Sequence, residues 1–264
     1  MTAIKEKSNQ SASVEEIAMQ GKVILVTGGA RRVGAATCRC LHAQGANLAV
    51  HYRSSIKEAQ VLQAELNQTR PNSVVLVQAD LLDIARLPQL VAETVKRFGK
   101  LDALINNASS FFPTPLGEIT EEMWDDLMGS NLKAPLFLSQ AAAPELRKQH
   151  GCIVNIVDIH SKWPLKNYVV YNAAKGGLAS LTRSLAQELA PEVRVNGISP
   201  GPILWPEAGE WADEASRQHI IDRTLLKRTG EPDDIARTVA FLIADAPYIT
   251  GQIIAVDGGR SVNL

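Results

Sequence analysis

The chain has only three cysteines, Cys38, Cys40 and Cys152. Their number is odd and their spacing fits no metal site, so neither a fully paired disulfide framework nor a bound metal is expected. Cys38 and Cys40 lie two apart in an expected helix and so face different sides. All three read as buried or half-buried free thiols of a reducing compartment. Also missing is any apolar run near the ~18 to 20 residues needed to cross a bilayer, so no membrane partner is expected. Nor is there an excess of charge of either sign: 27 basic against 28 acidic residues leave a formal charge of −1. That balance gives no bulk field to draw in nucleic acid or an anionic membrane. The first twenty residues lack a secretory apolar core, and Glu6, Glu15 and Glu16 argue against a mitochondrial presequence. Residues 1–20 read as a flexible tail, residues 21–264 as a single domain, and the expected address is cytoplasmic.

The 264 residues, 45% hydrophobic and 21% charged, suffice for one large core. From residue 22 onward, short apolar runs alternate with longer amphipathic segments. Strands are expected at Val23–Thr27, Asn47–His51, Val74–Gln78, Ala103–Ile105, Ile153–Val157, Arg194–Ile198 and Ile253–Val256. Helices are expected at Val33–Gln44, Ile56–Gln68, Leu87–Phe98, Glu121–Gln149, Tyr168–Leu189 and Asp233–Ile243. This order predicts a Rossmann-type α/β fold: a doubly wound parallel sheet of about seven strands with helices on both faces. The strands are continuously apolar rather than alternating, as burial on both faces requires. Gly45 and Gly99 suit left-handed helix ends, and Glu231-Pro232 suits a helix start. Ser199 to about Arg223 reads as a long irregular loop, with Pro200, Pro202, Pro206, Trp205 and Trp211. Such loops often cover a site.

The first strand runs into Thr27-Gly28-Gly29-Ala30-Arg31-Arg32-Val33-Gly34. Glycines there let backbone approach a pyrophosphate, and the following helix N-terminus favours its charge. Many NAD-binding folds carry an acid at the end of the second strand for the ribose hydroxyls. Here the segment is Val50-His51-Tyr52-Arg53-Ser54-Ser55, with none. Arg53, reinforced by Arg31 or Arg32, suits a 2′-phosphate instead, which favours NADPH. Asp80, followed by Leu81, can accept from an adenine amino group. Asn107, Ala108 and Ser109 follow the fourth strand, where small side chains let backbone meet the cofactor.

Tyr171 and Lys175 stand one helical turn apart on one face. An ammonium beside a phenol favours the phenolate and would lower its pKa, making Tyr171 a proton donor near neutrality. With these residues in view, the chain from Gly21 to Gly259 resembles the short-chain dehydrogenases/reductases. The Thr-Gly-x-x-x-x-x-Gly turn, Asn106-Asn107-Ala108, Asn131, the Tyr/Lys pair, Pro200-Gly201 and Val256-Asp257-Gly258-Gly259 fall in family order. The resemblance implies hydride transfer from a nicotinamide, with Tyr171 as acid and Lys175 orienting the ribose. It also implies a water-linked proton path at Asn131 and a homotetramer built around Glu121–Gln149 and Tyr168–Leu189.

Thirteen residues before the tyrosine, the family usually has serine; this chain has Asp158. A serine hydroxyl can donate to a ketone oxygen, whereas an ionised aspartate can only accept. It would oppose ionisation of Tyr171 and keep the acid loaded. Asp158 therefore favours a nitrogen heterocycle with a C=N bond, unless Ser161 substitutes for the missing alcohol. Phe111 or Phe112 offers a stacking face to a flat ring. The set resembles the pteridine reductases, including the bacterial dihydromonapterin and dihydrofolate reductase branch. That resemblance implies a pterin or folate substrate sandwiched between Phe111 and nicotinamide. Arg32 and Ser109 would touch substrate and cofactor phosphate, and Asp158 and Tyr171 would flank the reducible bond. The short stretch from Pro115 to Asn131 favours a bacterial-type member. The competing expectations are a carbonyl reductase, for example of 3-oxoacyl thioesters, and a non-catalytic nucleotide sensor.

Overall fold

A computed structural model describes residues 19–205 and 213–263. Most of the expected N-terminal tail lies outside these residues, as do Pro206 and Trp211. Seven strands form one sheet: β1 (Val23–Val26), β2 (Asn47–Tyr52), β3 (Val74–Gln78), β4 (Ala103–Asn106), β5 (Cys152–Ile156), β6 (Arg194–Pro200) and β7 (Ile253–Val256). Their spatial order is β3-β2-β1-β4-β5-β6-β7, and every pairing is parallel. Eight α-helices accompany them among the described residues: α1 (Arg32–Ala43), α2 (Ile56–Thr69), α3 (Leu87–Phe98), α4 (Glu121–Met128), α5 (Ala134–Lys148), α6 (Val169–Leu189), α7 (Glu214–Asp222) and α8 (Pro232–Ala244).

The unbroken apolar strands follow from two separate cores. Successive side chains of a strand point to opposite faces. Ile24 and Val26 of β1 enter a core with Leu41 of α1, Leu62 of α2 and Val239 of α8. Leu25 between them enters the other core, with Leu90 of α3, Leu138 of α5 and Leu185 of α6. Each such aliphatic side chain contributes roughly 1.5–3 kcal/mol by leaving water, so a polar residue on either parity of β1 would be costly.

Local chemistry sets the helix ends. Gly99 adopts φ +83 after α3 and returns its N–H to Val95, and Gly45 adopts φ +96 after α1, both as expected. Thr120 caps α4 by accepting from the Met123 N–H. Glu231 opens α8 with Pro232 in the first turn and a reciprocal pairing with Asp234.

Two expectations fail. The helix read as continuous from Glu121 to Gln149 is interrupted by a π-turn at Gly129–Lys133. Pro135 has no N–H to return to the Asn131 carbonyl, and the Asn131 amide donates to the carbonyls of Leu127 and Ser110. Such π-turns often mark functional positions. The segment read as a loop to about Arg223 contains α7, capped by Asp213 accepting from the Ser216 N–H. None of its residues is buried, so no apolar stripe announced it.

The strand order reverses between β1 and β4: the chain runs outward from β1 to β3, then crosses back to β4. In such sheets ligands bind outside the carboxyl ends of the strands at this point.

Candidate active site

The turn after β1 is fixed from three sides. Gly28 takes φ +60, and a Cβ on it would press on the backbone of Ala108 at 3.0 Å. Thr27 Oγ1 donates to the Ile105 carbonyl and accepts from the Asn107 and Ala108 N–H groups at 2.9 and 3.0 Å. Asn107 Nδ2 donates to the Thr27 and Gly28 carbonyls. The third support is His51, 2% exposed at the end of β2, to which sequence analysis had given no role. Its Nδ1 accepts from the Gly28 N–H at 3.1 Å, and its Nε2 faces the Ala79 carbonyl at 3.1 Å. These partners require a neutral ring with its proton on Nε2. Burial pushes its pKa down to about 4, with the Ala79 hydrogen bond and Asp80 opposing.

Above this turn lies a cleft of about 840 Å³ that runs across the strand ends. Gly28, Arg31, Arg32, Val33 and Gly34 line it beside Tyr52, Arg53 and Ser54. Asp80, Leu81, Asn107, Ala108 and Ser109 continue the wall, and Pro200 and Gly201 close it from the β6 side. Arg31, at the start of α1, has no capping hydrogen bond from its side chain, and the first turn carries no acid. This electropositive helix start, with Arg53 just past the end of β2, fits the phosphates of a dinucleotide. Arg31 also meets Glu58 at 3.8 Å. Arg32, at φ +52, donates to the Leu204 and Trp205 carbonyls, joining the glycine-rich turn to the loop after β6. Asp80 uses one oxygen to hold the Leu82 N–H.

At the other end of the cleft, Tyr171 Oη donates to Asp158 Oδ2 at 2.7 Å, and the His160 N–H holds Oδ1 at 2.8 Å. The carboxyl group therefore faces the phenol. Ser161 lies in the short turn Ile159–Ser161, and the alternative that gave it Asp158's place finds no support in these contacts. Burial, then the Asp158 charge, then the hydrogen bond to it hold Tyr171 well above the usual phenol range, the Ser109 hydroxyl opposing them. This corrects the expectation that Lys175 lowers the phenol: with Asp158 in contact, the rise prevails. Lys175 is itself 2% exposed and donates to the Ile156 carbonyl at 2.9 Å. Its Nζ lies 5.7 Å from the Tyr171 ring centre. Burial draws it down to about 8, with Asp158 acting the other way.

Lys175 and Asn131 stand behind the cleft wall. Asn131 is fully buried in the π-turn, and its Oδ1 accepts from Ser109 Oγ at 2.6 Å. Ser109, which does line the cleft, thus links the buried amide to the open site. The two phenylalanines separate. Phe112 packs with Leu127 and Tyr168, whereas Phe111 lines the cleft at 38% exposure. The Phe111 ring is stacked on Tyr168 at 4.6 Å and meets Tyr171 edge-on at 4.8 Å. Thr114 anchors this loop to the start of α6 through Asn167 and Val170. Ile159, His160, Leu204, Trp205, Ile220 and Arg260 also line the cleft. Sequence analysis had named only Trp205 of these, in a loop of the kind that covers a site; the others come from helix α7 and from short segments remote in sequence.

A doubly wound sheet with a nucleotide-type turn at one end of its cleft and a buried Tyr/Lys pair at the other defines a dinucleotide-linked oxidoreductase. A family model described as enoyl-(acyl carrier protein) reductase matches residues 28–261. The chain belongs to this family, the short-chain dehydrogenases/reductases. It is 38% identical to pteridine reductase 1 of Leishmania tarentolae, over 91% of this chain and 96% of the relative. It is 36% identical to 3-oxoacyl-[acyl-carrier-protein] reductase FabG of Staphylococcus aureus, over 90% and 97%. An uncharacterized oxidoreductase of Methylorubrum extorquens is 35% identical, over 91% and 98%. The chain is an oxidoreductase that uses a nicotinamide cofactor. No helix among the described residues is long and apolar enough to cross a membrane.

Proposed function

We propose that the protein reduces the C=N bond of a dihydropterin or dihydrofolate to the tetrahydro form, with NADPH as reductant. The observation that carries this reading is the 2.7 Å contact between Asp158 and Tyr171. A ketone oxygen brought to this phenol would also face a carboxylate that has nothing to donate. A pterin ring brings N–H and amino groups, which that carboxylate accepts. The likeness to pteridine reductase 1 supports the same reading.

Arg53, with Arg31 and Arg32, supplies guanidinium groups for the 2′-phosphate and pyrophosphate. Gly28, Val33 and Gly34 let those phosphates approach backbone, and Tyr52, Ser54, Asp80 and Leu81 enclose the adenosine. Asn107, Ala108, Pro200 and Gly201 border the path to the nicotinamide end. The bound cofactor supplies hydride to a ring carbon. Phe111 offers its ring to the pterin plane. Asp158 accepts from the substrate's nitrogen and so releases the Tyr171 O–H toward the reducible bond. Tyr171, held protonated by its surroundings, gives its proton to the ring nitrogen directly or through water. Lys175 and Asn131, buried behind it, orient the phenol and the Ser109 hydroxyl for reprotonation. The exposed apolar Trp124, Leu136 and Val169 on α4, α5 and α6 suit the contact faces of a homotetramer. The unpaired Cys38, Cys40 and Cys152 suit the reducing cytoplasm.

The test is turnover of 7,8-dihydrobiopterin, dihydromonapterin and dihydrofolate with NADPH. Activity on at least one is expected, and none on any would refute the substrate assignment. The second reading is a 3-oxoacyl reductase, favoured by the FabG likeness. It predicts wild-type turnover of a 3-oxoacyl thioester, kept or raised in Asp158→Ser.

A further inference from the structure

Arg260 follows Gly258 and Gly259, both at positive φ, in a short turn after β7. Arg260 lines the cleft, as do Trp205 and Ile220. Its Nη1 is buried from solvent and has no hydrogen-bond partner. Asp257 accepts from the backbone N–H groups of Gly259 and Ser261, and among the described residues it makes no hydrogen bond to this Nη1. Burial and the like charge of Arg223 both pull Arg260 below its usual value, with Asp257 opposing. Among the described residues that line the cleft, the carboxylates are Asp80 and Asp158. Asp80 sits at the adenosine end and Asp158 on Tyr171. A buried guanidinium donor with no partner, set beside a second arginine, is unfavourable unless an anion completes it.

The cofactor's phosphates are not that anion. Arg53 lies just past β2 and the glycine-rich turn follows β1, five and four strand intervals from β7, which Arg260 follows, or roughly 24 and 19 Å at the usual strand spacing. The Tyr171–Asp158 end lies beyond β5, only two intervals from β7, or about 10 Å. One aromatic spacer bridges such a gap. We propose that Arg260 is a specificity-determining residue, which receives a carboxylate carried on the substrate's tail beyond the reacting ring. On the pterin reading, on which this inference rests, the favoured substrate class is the folates, whose p-aminobenzoyl group ends in glutamate, over pterins with a neutral side chain.

The test compares dihydrofolate with 7,8-dihydrobiopterin, each with NADPH, in the full chain and in Arg260→Met and Arg260→Lys. Arg260→Met lowers the ratio of kcat/KM for dihydrofolate over dihydrobiopterin about tenfold, on the scale of one charge-assisted hydrogen bond. The loss falls in KM, and Arg260→Lys recovers part of it. An unchanged ratio overturns the assignment. A second arm does not depend on turnover: p-aminobenzoyl-glutamate, added with NADPH, raises the melting temperature of the wild type but not of Arg260→Met. An equal shift in both, or none in either, overturns the anion site. Absence of turnover on both substrates sinks the pterin reading instead, and the melting arm then decides Arg260 alone.

Discussion

Asp158→Asn keeps the shape of the side chain and removes its charge. In the wild type Asp158 Oδ2 accepts the Tyr171 phenol at 2.7 Å. Three influences raise that phenol, in the order burial, the Asp158 charge and the hydrogen bond to it. The variant leaves the first and removes the second. A charge in contact moves a titrating group by about one to three units, worth roughly 1.4–4 kcal/mol. Tyr171 therefore ionises at lower pH in the variant, though burial still holds it high. The alkaline limb of kcat/KM for dihydropterin reduction moves down by at least about one unit. The near-ultraviolet absorbance of phenolate follows it in the protein without substrate, where Tyr171 is separated from exposed Tyr248 by the difference between variant and wild type. The amide also donates where the carboxylate accepted, so KM for the pterin rises. An alkaline limb and a phenolate titration that stay where the wild type has them would refute the idea that Asp158 keeps the acid loaded.

Other perturbations reach other parts of the site. Arg53→Ala raises KM for NADPH more than for NADH; equal changes in steady-state assays would remove Arg53 from the phosphate role. Gly34→Ala drives a Cβ into the Gly28 carbonyl and to 2.8 Å from Asn107 Nδ2. It should destabilise the fold by about 1–3 kcal/mol and weaken NADPH binding, and denaturant melts with fluorescence titration check both. His51 ionises near 4 in the fold against about 6.5 in the unfolded chain. Between those values the unfolded chain takes up a proton that the fold does not. Its contribution is therefore complete above about 6.5 and is lost as pH falls toward 4, by about 3 kcal/mol in all. His51→Gln removes that slope from urea melts across this range, leaving the smaller one from His42, which burial also lowers. His51→Asn, whose short amide can accept from the Gly28 N–H, retains more NADPH affinity than His51→Gln.

Much of this protein was legible in the order of its residues. Seven apolar runs marked seven strands, because a parallel sheet covered on both faces tolerates no polar parity. Gly45, Gly99 and Pro232 marked helix ends, because their backbone freedom or restriction is local chemistry. Asp158, thirteen residues before Tyr171, could be singled out only through the resemblance, because it stands where the short-chain reductases usually carry serine. The π-turn at Asn131 was obscured because a helical pattern of apolar residues runs through it, and only the Ser110 carbonyl and Pro135 together disrupt the ladder. Helix α7 was missed because it buries nothing. Tertiary structure alone decided that Asp158 rather than Ser161 meets the phenol, and that Phe111 rather than Phe112 faces the cleft. It alone set His51 under the glycine-rich turn and brought Arg260, more than two hundred residues from that turn, into the lining of the same cleft. Periodicity reports which face of an element is buried; which distant atoms meet there depends on strand order and loop packing, which no local pattern encodes.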